Sequence, residues 1–115
     1  MAELAIAVPI LPGKTEAWKE FTRELESRRS EHEEVWRRLG GIRHVSWLQQ
    51  TPEGDMVLVY YEAEDIDRVF QEFATSDDPL MVWFRERVKD IHGMDLSQPL
   101  PLSFPEKYMD ITIGG

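Results

Sequence analysis

IRHVSWLQQTPEGDMVLVYYE, residues 42–62, is the stretch whose reading decides the fold. Its two arms, 42–51 and 55–62, are rich in β-branched and aromatic residues, and Pro52-Glu53-Gly54 lies between them. That composition predicts one β-hairpin. A three-residue loop suits the triplet, with Pro52 and Glu53 in right-handed turn conformation and Gly54 at the left-handed position that glycine takes most readily. The register then follows. Thr51 lies opposite Asp55, and Gln49, Trp47 and Val45 lie opposite Val57, Val59 and Tyr61 on a core face. The other face carries Gln50, Leu48, Ser46 and His44 opposite Met56, Leu58, Tyr60 and Glu62. It is mixed but too apolar for open water, and one layer of helices covers only one side of a sheet. A second copy of the chain is the expected cover.

Upstream, residues 4–10 place Leu4, Ile6, Val8 and Ile10 on one face and Ala5 and Ala7 on the other, the pattern of an interior strand. Pro9, Pro12 and Gly13 end it, and Thr15 offers a helix cap ahead of Glu16. Trp18, Phe21, Leu25, His32, Trp36 and Leu39 then recur at helical spacing through a charged segment, predicting one long amphipathic helix that stops at Gly40-Gly41. Downstream, Asp65 caps a short helix with Ile66, Val69, Phe70 and Phe73 inward. Asp78 caps another with Pro79 at its first position, and its stripe of Leu80, Phe84, Val88 and Ile91 ends at Gly93. In 98–105 three prolines alternate with Leu100, Leu102 and Phe104, which favours an extended arm able to pack across a neighbouring subunit. Met109, Ile111 and Ile113 alternate with Tyr108, Asp110 and Thr112, so 107–113 reads as a final strand. The order predicts a single α+β domain over 1–115, a ferredoxin-like split βαβ fold whose antiparallel sheet carries helices on one face.

A chain of 115 residues buries about two-thirds of its unfolded surface, enough for one core. The net charge of -9 repels nucleic acid and anionic lipid, so neither is an expected partner. Without cysteine there is no disulfide, thiolate metal site or cysteine nucleophile. No basic region leads into a long apolar run and no segment approaches the ~20 apolar residues of a membrane span, so a cytoplasmic location is expected.

The apolar first strand running into Pro12-Gly13-Lys14, the amphipathic helix and the hairpin apolar on both faces together resemble the dimeric α/β-barrel superfamily, which includes antibiotic-biosynthesis-type monooxygenases. The C-terminal half, with Asp78-Pro79, His92-Gly93-Met94-Asp95 and the proline-rich arm, looks more like an uncharacterised branch of it. The resemblance implies a homodimer whose sheets meet face to face and close a barrel across a two-fold axis. It also implies a small-molecule pocket and cofactor-independent monooxygenase chemistry on an aromatic or polyketide-like substrate, which would itself supply electrons to oxygen. No cofactor is expected. The alternative is a noncatalytic dimeric ligand-binding or interaction protein, since one fold serves many functions.

In the inferred register His44 and Glu62 face each other, and a carboxylate beside an imidazole raises its basicity, as proton transfer requires. The blander reading is a polar cross-strand pair at the dimer rim. Tyr60 and Ser46 lie next along that face, so His44, Tyr60 and Glu62 are the catalytic candidates and Ser46 a ligand contact. Trp47, Trp83, Trp18 and Trp36 together suit stacking on a flat ligand, with Trp47 and Trp83 the ligand-contact candidates, although aromatics at such spacings are more often core. Arg43 and Arg85 suit an anionic ligand or plain solvated surface. His32, His44 and His92 have no local metal-ligand spacing. Gly13-Lys14-Thr15 lacks the first glycine of a phosphate loop, which would stand at Val8.

Overall fold

The computed structural model describes residues 2–100 and 103–114. Strand β3 (Gly54–Ala63) is the spine of its sheet, pairing antiparallel with β1 (Ala2–Pro9) on one side and β2 (Gly41–Thr51) on the other. Leu4, Ile6, Val8 and Ile10 are buried and Ala5 and Ala7 exposed, as the alternation predicts. The expectation of an interior position for β1 is corrected: among the described residues it is an edge, because the strand expected at 107–113 is not there to flank it.

The hairpin closes one residue earlier than its loop chemistry predicts. Thr51 pairs with Gly54, so the loop is Pro52-Glu53 alone and Gln50 faces Asp55. The Thr51 hydroxyl donates to the Gly54 carbonyl at 2.6 Å, and Gly54 takes a φ of 132°, which L side chains rarely adopt. Side chains alternate with period two, so this one step reverses every side chain of β2. His44, Ser46 and Leu48 now oppose Tyr61, Val59 and Val57 on the helix side, while Val45, Trp47 and Gln49 join Tyr60, Leu58 and Met56 on the open side. Trp47, expected in the core, is 53 % exposed. The faces expected for β3 hold, with Val57 and Tyr61 buried.

The single long helix divides into α1 (Thr15–Ser27) and α2 (Arg29–Arg38). At the break the Ser27 hydroxyl donates to the Glu24 carbonyl at 2.7 Å, and the Arg28 N–H lies 3.0 and 3.1 Å from the Glu24 and Leu25 carbonyls. Such a hydroxyl competes with the helical ladder. Thr15 is the first helical residue rather than the cap, and its hydroxyl donates to Asp55 at 2.6 Å, fastening α1 to the start of β3. Helices α3 (Ile66–Thr75) and α4 (Pro79–His92) begin as expected: Asp65 accepts from the Arg68 N–H and Asp78 from the Leu80 N–H, with Gly93 closing α4 at φ 72°. Their stripes meet those of α1 and α2 over the inner face of the sheet, and Phe73, Leu80, Ile91 and Val69 are its most enclosed members.

Residues 103–114 form neither helix nor strand. The Phe104 ring lies 4.9 Å from that of Phe70, so this part of the arm rests on α3 of its own chain. Lys107 pairs with Glu3 at 3.0 Å and with Asp110 at 2.9 Å. Beyond Lys107 no strand edge pairs with the segment, and the strand expected over 107–113 is corrected to an exposed, unpaired arm. Leu102, with Pro101, lies outside the described residues. Among the described residues the fold is thus α+β, a three-stranded antiparallel open sheet with four helices. No helix among the described residues is long and apolar enough to cross a membrane.

Candidate functional site

The reversed face of β2 builds the site. His44 lies opposite Tyr61, their rings 4.7 Å apart, and its ring is 5.2 Å from Trp36 and 5.6 Å from His32. Trp36 stacks on Tyr61 at 5.4 Å and 21°. Gly41 permits this approach, since a Cβ there would collide with the Trp36 ring. His32 and Trp36 stand one helical turn apart on α2 and so present their rings to the same strand.

The His32, Trp36 and His44 rings floor a cleft of about 600 Å³ between α1, α2 and β2, and Tyr61 lies behind them. Behind it a small chamber of about 70 Å³ lies between sheet and helices, walled by residues such as Val59, Phe70 and Phe84. Thr22, Leu25, His44 and Ser46 line both spaces and mark their junction. Among the described residues no fully enclosed side-chain nitrogen or oxygen lacks a hydrogen-bond partner.

Burial pushes His44 down to about 3, with neighbouring His32 acting in the same direction. Burial also lowers His32 and raises the Tyr61 phenol. At neutral pH the floor therefore holds two neutral imidazoles, and the chamber behind it a protonated phenol, donors and acceptors without charge. The rim differs. Arg29 is held by Glu26 at 3.5 Å and Glu33 at 3.1 Å, whereas Arg37 and Arg43 form no ion pair among the described residues. A pairing irregularity between Gly41 and Arg43 leaves Ile42 out of the ladder and half exposed, and such a bulge re-aims the side chains around it.

Of the residues that the sequence nominates, His44, Ser46 and Arg43 come to this cleft. Glu62 does not meet His44, because the shifted register sets it opposite Arg43. Tyr60 is also on the open face, where its hydroxyl donates to Glu3 at 2.7 Å and lies 3.3 Å from Glu62. Bonding to Glu3, above all, holds the Tyr60 phenol up at about 12. Trp47 shares that open face. Trp83 packs on Phe21 at 5.3 Å with the Arg28 guanidinium 4.8 Å over its ring, away from the cleft. Arg85 donates to the Phe73 carbonyl at 2.8 Å, and His92 Nδ1 donates to the Pro9 carbonyl at 2.8 Å, tying the end of α4 to β1. Lys14 is engaged by Asp90 at 2.9 Å.

The sequence does not nominate His32, Tyr61 or Arg37 as site residues, and it offers Trp36 only as one of four tryptophans suited to stacking. One signal was present: His32 is the only titratable member of the apolar stripe through α1 and α2. Tyr61 becomes a neighbour of His44 only in the correct register. No group of three or more His, Asp or Glu placed to hold a metal ion occurs among the described residues. Comparison of the chain with protein-family models, with curated proteins and with solved structures gives no match.

Proposed function

We propose that the chain binds a small planar molecule, apolar in body and anionic at one end, in the cleft between α1, α2 and β2. One observation carries this reading: His32 and His44, both held neutral by burial, line one cleft together with the Trp36 ring and the rim residues Arg37 and Arg43, unpaired among the described residues. Neutral imidazoles exposed to a cleft offer hydrogen bonds that orient a ligand. Trp36 and His32 offer aromatic rings along the cleft wall, and the chamber behind accepts an apolar edge. Arg37 and Arg43 at the rim suit a carboxylate or phenolate.

The electrostatics of His44 favour binding over catalysis. A general base works best when its proton affinity is near the operating pH, and an imidazole held at about 3 accepts a hydrogen bond far better than it keeps a proton. Cofactor-independent oxygenation is the second reading, supported by the fact that neutral imidazole is the form that can take a proton. An anion seated beside His44 would raise its proton affinity, and the substrate would supply the electrons to oxygen.

The proposed working unit is a homodimer of the ferredoxin-like, barrel-forming kind. Ala5, Ala7, Val45, Trp47 and Leu58 form an apolar band across the open sheet face, and a second sheet packed about 10 Å away would cover it.

Tryptophan fluorescence during titration with a hydroxynaphthoate, and separately with uncharged naphthol, tests the ligand class. Saturable binding is expected for the acid and about tenfold weaker binding for naphthol, with the difference abolished in an Arg37→Gln/Arg43→Gln variant. Equal, weak affinity for both compounds would refute the proposed ligand. Oxygen uptake with an anthrone, lost in His44→Ala, would move the assignment to the oxygenase.

A further inference from the structure

We infer that the arm at residues 107–113 docks on the open sheet face of a second copy, along its Ala5 and Ala7, in exchange for that copy's arm. This rests on the homodimer proposed above and names the element that holds it together.

The arm is written as a strand and has no sheet. Met109 and Ile111 are 77 and 71 % exposed, and Tyr108 and Ile113 are 91 and 92 % exposed. Lone exposed apolar residues are ordinary on a protein surface, but four within six positions on an extended segment make a sticky edge. Alternation gives that segment one apolar side, Met109, Ile111 and Ile113, and one more polar side, the arrangement of a strand that is covered on one face and wet on the other.

The open face offers a matching receptor. Along β1 it carries the small Ala5 and Ala7, and the facing β3 residues are the bulky Tyr60 and Leu58. Small residues beside a tall row form a shallow trough one strand wide. Ala5 and Ala7 repeat every two residues, as do Ile111 and Ile113, so an extended arm can set one bulky side chain over each alanine. The arm of the same chain begins beside this trough, with Lys107 on Glu3, yet residues 108–113 stay in the open and Asp110 bonds back to Lys107. The occupant is therefore taken from the partner.

Area supports the exchange. Three strands about 4.8 Å apart and some 26 Å long present a footprint of roughly 400 Å². A stable association needs about 800 Å² per partner. Seven extended residues carry on the order of 1,100 Å² of surface, so laying one side of the arm down contributes roughly 500 Å² more. Sheet contact alone falls short, and sheet plus arm suffices.

The chain has no cysteine, so the contact can be tested by directed disulfide formation in the full-length protein. Ile111→Cys and Ala7→Cys, prepared separately and mixed under mild oxidation, are expected to give a covalent dimer at several times the yield of either alone. Ile111→Asp, at a position exposed in the single chain, is expected to leave the circular dichroism spectrum unchanged while raising the dimer dissociation constant about thirtyfold. If Ile111→Asp dimerises as tightly as the parent, the arm is not the clasp, although the homodimer stands. If the parent is a monomer at all accessible concentrations, both proposals fail. If an Ala7→Cys/Ile111→Cys double variant closes within one chain, the arm docks on its own sheet and the exchange is refuted.

Discussion

At His44 the folded protein holds the ring neutral down to about 3, whereas the ordinary imidazole value is 6.5. Acid thus favours the unfolded chain, which takes up the proton first. Stability is complete above about pH 6.5 and is lost progressively as the pH falls toward 3, by roughly 2 kcal/mol between about pH 7 and pH 5 from this residue alone. His32 and His92, also lowered by burial, add the same sign. Asp78 and Asp90, held below the usual carboxylate range by Arg38 and Lys14 respectively, withdraw their smaller share only at lower pH. Urea midpoints measured across this range should decline for the parent and stay flatter for His44→Phe, which keeps the ring packing without the proton. Gly41→Ala drives a methyl into the Trp36 ring and should cost about 1–3 kcal/mol, read from the same midpoints. The roles of Asp65 and Asp78 were legible from sequence because a cap bonds backbone two or three residues away. The surroundings of His44 were not, since Trp36, Tyr61 and His32 arrive from other elements.

Among the elements, α4 illustrates how local signals hold. Asp78 accepts from the Leu80 N–H at 3.0 Å and from Arg38 at 2.8 Å. The exposed ion pair contributes little and the cap most, so Asp78→Ala should lower stability by about 1 kcal/mol while Asp78→Asn retains most of it, as read by thermal or urea unfolding. Hydrophobic periodicity located the helical stripe from Trp18 to Leu39 but not the break at Arg28, where the Ser27 hydroxyl bonds the Glu24 carbonyl. In the hairpin, strand identity was plain from composition while register was not. A loop of Pro52-Glu53 and a loop of Pro52-Glu53-Gly54 differ by one residue, and that difference exchanges Trp47 for Leu48 in the core.

At the scale of the molecule, the open sheet face and the free arm are where one chain looks incomplete. Trp47→Glu should leave secondary structure intact and change unfolding free energy by no more than ~0.5 kcal/mol at low protein concentration, because the side chain lies outside the core. Sedimentation should nevertheless show the population shifted to monomer, since a charge would then stand at the centre of the proposed sheet-to-sheet contact. Unchanged association in Trp47→Glu would place the interface elsewhere. The two proposals make separable demands on the two faces: a variant at Trp47 disturbs assembly, and a variant at Arg37 disturbs the cleft.

By itself the sequence determined whatever a few neighbouring residues can decide: the alternation of β1 and β3, the helix caps at Asp65 and Asp78, the stop at Gly93 and the apolar stripes that cover one sheet face. Only the tertiary structure decided which side of β2 turns inward, and with it that His44 belongs with Tyr61 while Tyr60 and Glu62 lie across the sheet. The reason is physical. Caps and periodicities are set by bonds and side-chain directions within one or two turns of chain, whereas register is chosen by packing among Trp36, His44, Leu48 and Tyr61, residues that meet only once the sheet and helices have closed on one another.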